Sequence, residues 1–112
     1  MTAKNVTKVV VVGPSRGLVE MFRGQNVDVT AVEGIATRDV LVEAGTEDAD
    51  AVVVTDVGEA SAIPVVRSLD ESVLVVVYDH RSMPEFVRAQ VDLAIAPDVL
   101  DPETVAEEIT NR

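Results

Sequence analysis

Apolar residues along this 112-residue chain come in short runs broken by polar or turn-forming residues, and the period of each run predicts its element. Residues 6–13 (VTKVVVVG) become wholly apolar and stop at Gly13-Pro14, as a strand covered on both faces does. Leu18, Val19 and Phe22 follow at helical spacing. Val27–Glu33 alternates polar and apolar, the mark of a strand near a sheet edge. Arg38–Ala44 puts Val40, Leu41 and Ala44 on one helical face and runs into Gly45, a helix stop. Asp50–Thr55 reads as a third strand. Glu59–Leu69 reads as a helix with Ala62, Val65, Val66 and Leu69 inward, and Pro64 fits it only if the helix starts late. Val73–Tyr78 is a fourth strand. Pro84–Gln90 predicts a helix with Phe86 and Val87 inward and Ser82 as N-cap. Leu93–Ala96 is a short last strand closed by Pro97. Asp101-Pro102 then opens a C-terminal helix through Val105 and Ile109, with Asp as cap and Pro at the first helical position.

Strands that alternate with helices and are apolar almost throughout require cover on both sheet faces. That predicts a parallel sheet with right-handed crossovers: a single three-layer α/β domain over residues 1–112, Rossmann- or flavodoxin-like, with five strands. Ligands of such sheets sit beyond the carboxyl ends of the strands, where strand order reverses. Gly13–Gly17, Glu33-Gly34, Thr55–Gly58 and Tyr78-Asp79 would line that crevice.

Composition narrows the chemistry. With 47% hydrophobic but only 3% aromatic residues, the core must be aliphatic. No cysteine is present, which excludes a disulfide scaffold, a thiolate metal site and a cysteine nucleophile. One histidine and scattered carboxylates predict no transition-metal site. Met1–Lys8 lacks the apolar stretch of a signal peptide, and no run approaches the ~20 residues of a membrane span, so a cytosolic protein is expected. A net charge of −11 repels nucleic acid and anionic lipid alike. Twenty acids against nine bases, with Arg outnumbering Lys and Val, Ala and Thr abundant, is a halophilic composition. There, concentrated salt screens self-repulsion. An acidic docking face for a basic partner is the alternative reading.

The turn Gly13-Pro14-Ser15-Arg16-Gly17 is the richest segment. It matches G-x-S-x-G, and the order Ser15, Asp56, His80 imitates a hydrolase triad, but the chain is too short for that fold and nothing brings His80 to Ser15. A tight turn with Ser15 capping the next helix is the plain structural reading. An anion-binding turn is the other: free amides at a helix start, the Ser15 hydroxyl and Arg16 could hold a phosphate. The dinucleotide fingerprint G-x-G-x-x-G is only partly present, since Ser15 replaces the second Gly and Leu18 the third. Glu33 stands twenty positions after Gly13, where such a site places the acid that bonds a ribose hydroxyl. Asp56 and Asp79 end the third and fourth strands, as solvated acids or as carboxylates able to hold Mg²⁺ on a phosphate.

Residues 36–55, ATRDVLVEAGTEDADAVVVT, resemble the stretch of TrkA-type (RCK) nucleotide-binding domains in which a turn and helix lead through "EAG" and "DAD" to a buried strand. Residues 75–97, VVVYDHRSMPEFVRAQVDLAIAP, resemble the part that follows. The chain is also similar to small haloarchaeal proteins, some carrying a CTP-synthetase label, although it has no cysteine for glutamine hydrolysis and no kinase-like phosphate loop. The TrkA-type resemblance implies a non-catalytic Rossmann module that senses NAD(H) or adenine nucleotides, pairs as a homodimer and acts on a transporter. It implies Gly13, Ser15, Arg16 and Gly17 under the pyrophosphate, Glu33 by the ribose, and Thr55 and Asp56 beside the ligand. One helix and one strand of that family are missing after Glu33, which converts strand order 3-2-1-4-5-6 into 2-1-3-4-5. Two further readings follow from this shortened fold: a degenerate Rossmann scaffold or dimerisation domain with no ligand, and a pseudo-receiver domain with Asp56 at its third strand.

Overall fold

A computed structural model describes residues 6–112; the first part of the stretch read for a signal peptide, with Lys4, lies outside them. The five strands are β1 (Lys8–Val12), β2 (Asp28–Val32), β3 (Ala51–Val54), β4 (Leu74–Tyr78) and β5 (Leu93–Ile95). They form one sheet in the order β2-β1-β3-β4-β5, with every neighbouring pair parallel. Strand order and class are as expected from the sequence.

Alternation within the valine runs builds both layers of core. Val10, Val12, Val52, Val54, Val75 and Val77 point to one face, and α2 (Arg38–Glu43) and α3 (Ala62–Leu69) cover it with Leu41, Ile63 and Val66. Val9, Val11, Val53, Val76 and Tyr78 point to the other, against Leu18 and Phe22 of α1 (Leu18–Gly24) and Val105 and Ile109 of α4 (Pro102–Thr110). Each such side chain, fully buried, contributes about 1.5–3 kcal/mol of hydrophobic transfer energy. Crowded β-branched residues suit a pleated surface closed on both sides.

Most helix boundaries follow their local signals. Asp101 accepts from Thr104 N–H at 2.8 Å and Pro102 opens α4. Thr37 caps α2, and Gly45 follows it in the left-handed region (φ 86°). α3 starts late, at Ala62, which places Pro64 in its first turn where no intrahelical donor is lost; a 3-10 turn, Val57–Glu59, precedes it.

The predicted helix over Pro84–Gln90 is instead a 3-10 segment, Glu85–Gln90, and Ser82 does not cap it; Pro84 occupies the cap position without a side-chain bond. Only Val87 turns inward. Phe86 faces solvent, against the expectation that both would be buried. One inward residue gives too little apolar stripe to hold a full α-helix on the sheet.

Candidate functional site

The carboxyl ends of β1, β3 and β4 meet at the crevice where strand order reverses. Gly13 leaves β1 at φ 112°, and a Cβ there would stand 2.5 Å from Thr55 Oγ1 and 3.2 Å from the Asp56 backbone. Its glycine therefore lets the turns after β1 and β3 touch. Thr55, fully buried, ties that contact by donating to the Pro14 carbonyl at 2.6 Å, with the Val12 carbonyl at 3.2 Å. Gly17 has φ 83°, and a Cβ on it would lie 3.0 Å from Pro102 Cγ, so it packs against the start of α4.

Arg16 is held in the left-handed region at φ 50°, a conformation that costs a non-glycine residue on the order of 1–2 kcal/mol. Its side chain repays the strain by lying across the sheet edge. Nε donates to the Thr55 carbonyl at 2.7 Å, and Nη2 to Asp79 Oδ1 at 3.3 Å. Asp79 is the hub of the site. Its side chain is 2% exposed, and it also accepts from Val57 N–H at 2.8 Å and from Arg81 Nη2 at 3.0 Å. Arg81 continues to Asp56, which accepts from Gly58 N–H at 2.8 Å. Burial alone would raise the Asp79 carboxyl, but the Val57 amide and the Arg81 guanidinium outweigh it and hold it below the usual carboxylate range. Asp56 is lowered chiefly by the Gly58 amide, then by Arg81, which is itself raised by both acids.

Ser15 does not cap α1, whose N-cap is Gly17. Its hydroxyl instead accepts from Val19 N–H at 3.3 Å and donates to the Glu20 carboxylate at 3.2–3.3 Å. Nothing joins Ser15, Asp56 and His80; His80 Nδ1 lies 3.4 Å from Asp98, among exposed side chains.

Beside the ion-pair chain is an open cleft of about 410 Å³ between the ends of β2, β1 and β3. Gly13, Pro14, Glu33, Gly34, Ile35, Asp56 and Glu59 line it. The residues picked from the sequence thus divide. Gly13, Glu33 and Asp56 face one cleft; Arg16 and Thr55 are spent on internal bonds; Ser15 and Gly17 are engaged with α1 and α4. Three carboxylates and no cation line the cleft, and Glu59 is anchored to the Ala36 N–H at 2.9 Å. Among the described residues no group of three or more His, Asp or Glu side chains converges as metal ligands, and no helix is long and apolar enough to cross a membrane.

Sequence reasoning noticed Asp79 but missed Arg81. The triplet Asp79-His80-Arg81 at the end of an apolar strand was the available signal, since a carboxylate leaving a covered strand seeks a cation within reach.

Sheet order and crevice define a three-layer α/β domain of the Rossmann/flavodoxin-like class. Within that class the chain belongs to a family of unknown function, DUF7126, whose model matches residues 9–109. No curated protein matches the sequence. Solved structures share the fold at low identity. A pilus assembly-related protein from Burkholderia pseudomallei superposes with a TM-score of 0.66 at 16% identity, covering 97% of this chain and 90% of its own. A pilus assembly protein (cpaE) from Burkholderia thailandensis gives 0.57 at 15%, covering 91% and 93%. An exopolyphosphatase-related protein from Bacteroides fragilis gives 0.59 at 14%, covering 94% of this chain but 39% of that one.

Proposed function

We propose that this chain is a non-catalytic α/β interaction module whose strand-end crevice is closed by its own side chains and takes no nucleotide. One observation carries the reading: Arg16, the only cation of the turn that would meet a phosphate, is bonded to the Thr55 carbonyl and Asp79. Freeing it would take one of two guanidinium partners from the buried Asp79 carboxylate and the Arg16 donor from the Thr55 carbonyl. The open cleft alongside is lined by Glu33, Asp56 and Glu59, a field that opposes a pyrophosphate. The glycines that resemble a nucleotide loop have structural partners in Thr55 and Pro102. Among the described residues, Ser15 bonds to Glu20 and His80 pairs with Asp98, so they do not form a nucleophile–base pair.

A nucleotide-sensing role of the TrkA type is the second reading. It is favoured by one observation, that Gly13 and Glu33 face the same cleft. Thermal denaturation with NAD⁺, NADH, ATP and AMP separates the two. A ligand at a hundred times its Kd stabilises by ~2.7 kcal/mol, on the order of 10 °C in a domain this size. The interaction-module reading expects no shift with any of them; a saturable rise with one would establish the sensor.

A further inference from the structure

Charge is unevenly shared around the strand ends. The cleft at β2, β1 and β3 is lined by acids alone, whereas a second recess, of about 250 Å³, lies at the ends of β4 and β5 with the opposite balance. Arg81 and Arg88 line it against one acid, Asp79, with His80 and Ser82 beside them. On a chain of twenty acids and nine Lys and Arg, that is a local surplus of positive charge. Asp79 does not cancel it. Its carboxylate is 2% exposed and has Arg16 and the Val57 amide as partners from the crevice side. Arg81 meets Asp79 and Asp56 through Nη2, and a guanidinium has five donors, so its Nε and Nη1 hydrogens serve a further acceptor. Arg88 stands 3.4 Å from Glu85, both side chains more than half exposed, a pair worth little in water. The rest of the recess is apolar. Val77 is 3% exposed, and Met83 and Ala94 stand beside it, Ala94 in register with Val77 on the neighbouring strand.

We propose that this recess binds a small aliphatic monocarboxylate, its carboxylate bonded by Arg81 and Arg88 and its hydrocarbon lying on Val77, Met83 and Ala94. Guanidinium forks match the paired oxygens of a carboxylate. The apolar wall favours an organic acid over an inorganic anion, because hydrocarbon gains by leaving water there. Size and charge narrow the class further. The recess has room for about eight waters at ~30 Å³ each, hence for a ligand of about eight heavy atoms, far fewer than a nucleotide has. A net charge of −11 opposes every added negative charge, which favours a monoanion. The recess shares Asp79 and Arg81 with the closed crevice but not Arg16. Responses at residues 79–83 and 94–96 and at Gly13–Gly17 can therefore fail separately, whatever the crevice takes.

Amide NMR shifts on titration with 4-methylpentanoate, in dilute buffer and in molar KCl, are the test, with circular dichroism as the folding control. The neutral 4-methylpentanol and inorganic phosphate serve as comparison probes. Saturable shifts confined to residues 79–83 and 94–96 are expected with the acid. The alcohol lacks the charge and phosphate the hydrocarbon, so each should bind about tenfold more weakly or worse. R88Q is expected to weaken the acid by about tenfold, the scale of one charge-assisted bond. A94E, at an exposed position, sets a carboxylate in the recess and should abolish the shifts. No saturable shift in either salt, equal binding of the alcohol or of phosphate, or shifts unchanged in R88Q or in A94E would each overturn the proposal.

Discussion

Asp79 concentrates the physics of this molecule in one carboxylate. It ends a strand whose preceding four residues are buried, so its charge needs partners near the sheet edge. Val57 N–H, Arg16 and Arg81 supply them, from three different connections. Asp79→Asn keeps the shape but sets an amide N–H₂ where an oxygen now accepts. We expect a loss on the order of 2 kcal/mol in chemical denaturation at neutral pH, the scale of a charge-assisted bond. The pH dependence fixes the cause. Because the folded carboxyl lies below its ordinary value of 3.8, its contribution is complete above that value and disappears as pH falls below it. The gap between wild type and variant should therefore hold constant from neutral to mildly acidic pH and shrink under stronger acid. A gap that widened in acid would contradict the assignment.

Arg67 plays the corresponding role at the scale of elements. From α3 it donates to the carbonyls of Gln90, Glu71 and Val73 and pairs with Asp92 at 2.9 Å, tying α3 to both ends of β4's neighbouring connections. Asp92 in turn accepts from Val75 N–H at 2.8 Å. β5 has few bonds of its own, being three residues long and at an edge. Arg67→Ala is expected to release β5 and the 3-10 segment as a local unit. Amide exchange at Leu93–Ile95 should speed up by about tenfold or more while Val9–Val12 and Val52–Val54 stay protected; uniform loss across the sheet would refute a local latch. The same elements show what a sequence conveys. The valine runs announce strands because burial on both faces leaves no room for polar residues. Asp101-Pro102 and Gly45 announce helix ends because capping is local chemistry. Residues 84–90 misled because helical spacing says nothing of how much sheet lies beneath, and β5 offers too little. The Arg67 bonds join residues apart in sequence, and no local pattern encodes them.

Across the whole molecule, apolar strands alternating with helices predict a doubly wound parallel sheet, and the strands take the expected order β2-β1-β3-β4-β5. The crevice was legible as a place but not as a chemical environment. Gly13, Glu33, Thr55 and Asp56 were expected around it, and the fold brings them there. Where Arg16 points depends on a buried Asp79 two strands away, a partnership that exists only once β1, β3 and β4 are assembled. Net charge of −11 adds a field against anionic ligands that only concentrated salt removes. Closure of the crevice therefore turns on whether the Arg16 guanidinium is engaged inside the protein. Nitrogen-15 NMR of the arginine Nε–H groups, in molar KCl with NAD⁺, NADH and ATP titrated in, reads this directly. The internal bond to the Thr55 carbonyl predicts a slowly exchanging Arg16 Nε–H that none of the nucleotides shifts. A fast-exchanging Arg16 Nε–H, or saturable shifts there and in the Gly13–Gly17 amides, would contradict the closed crevice.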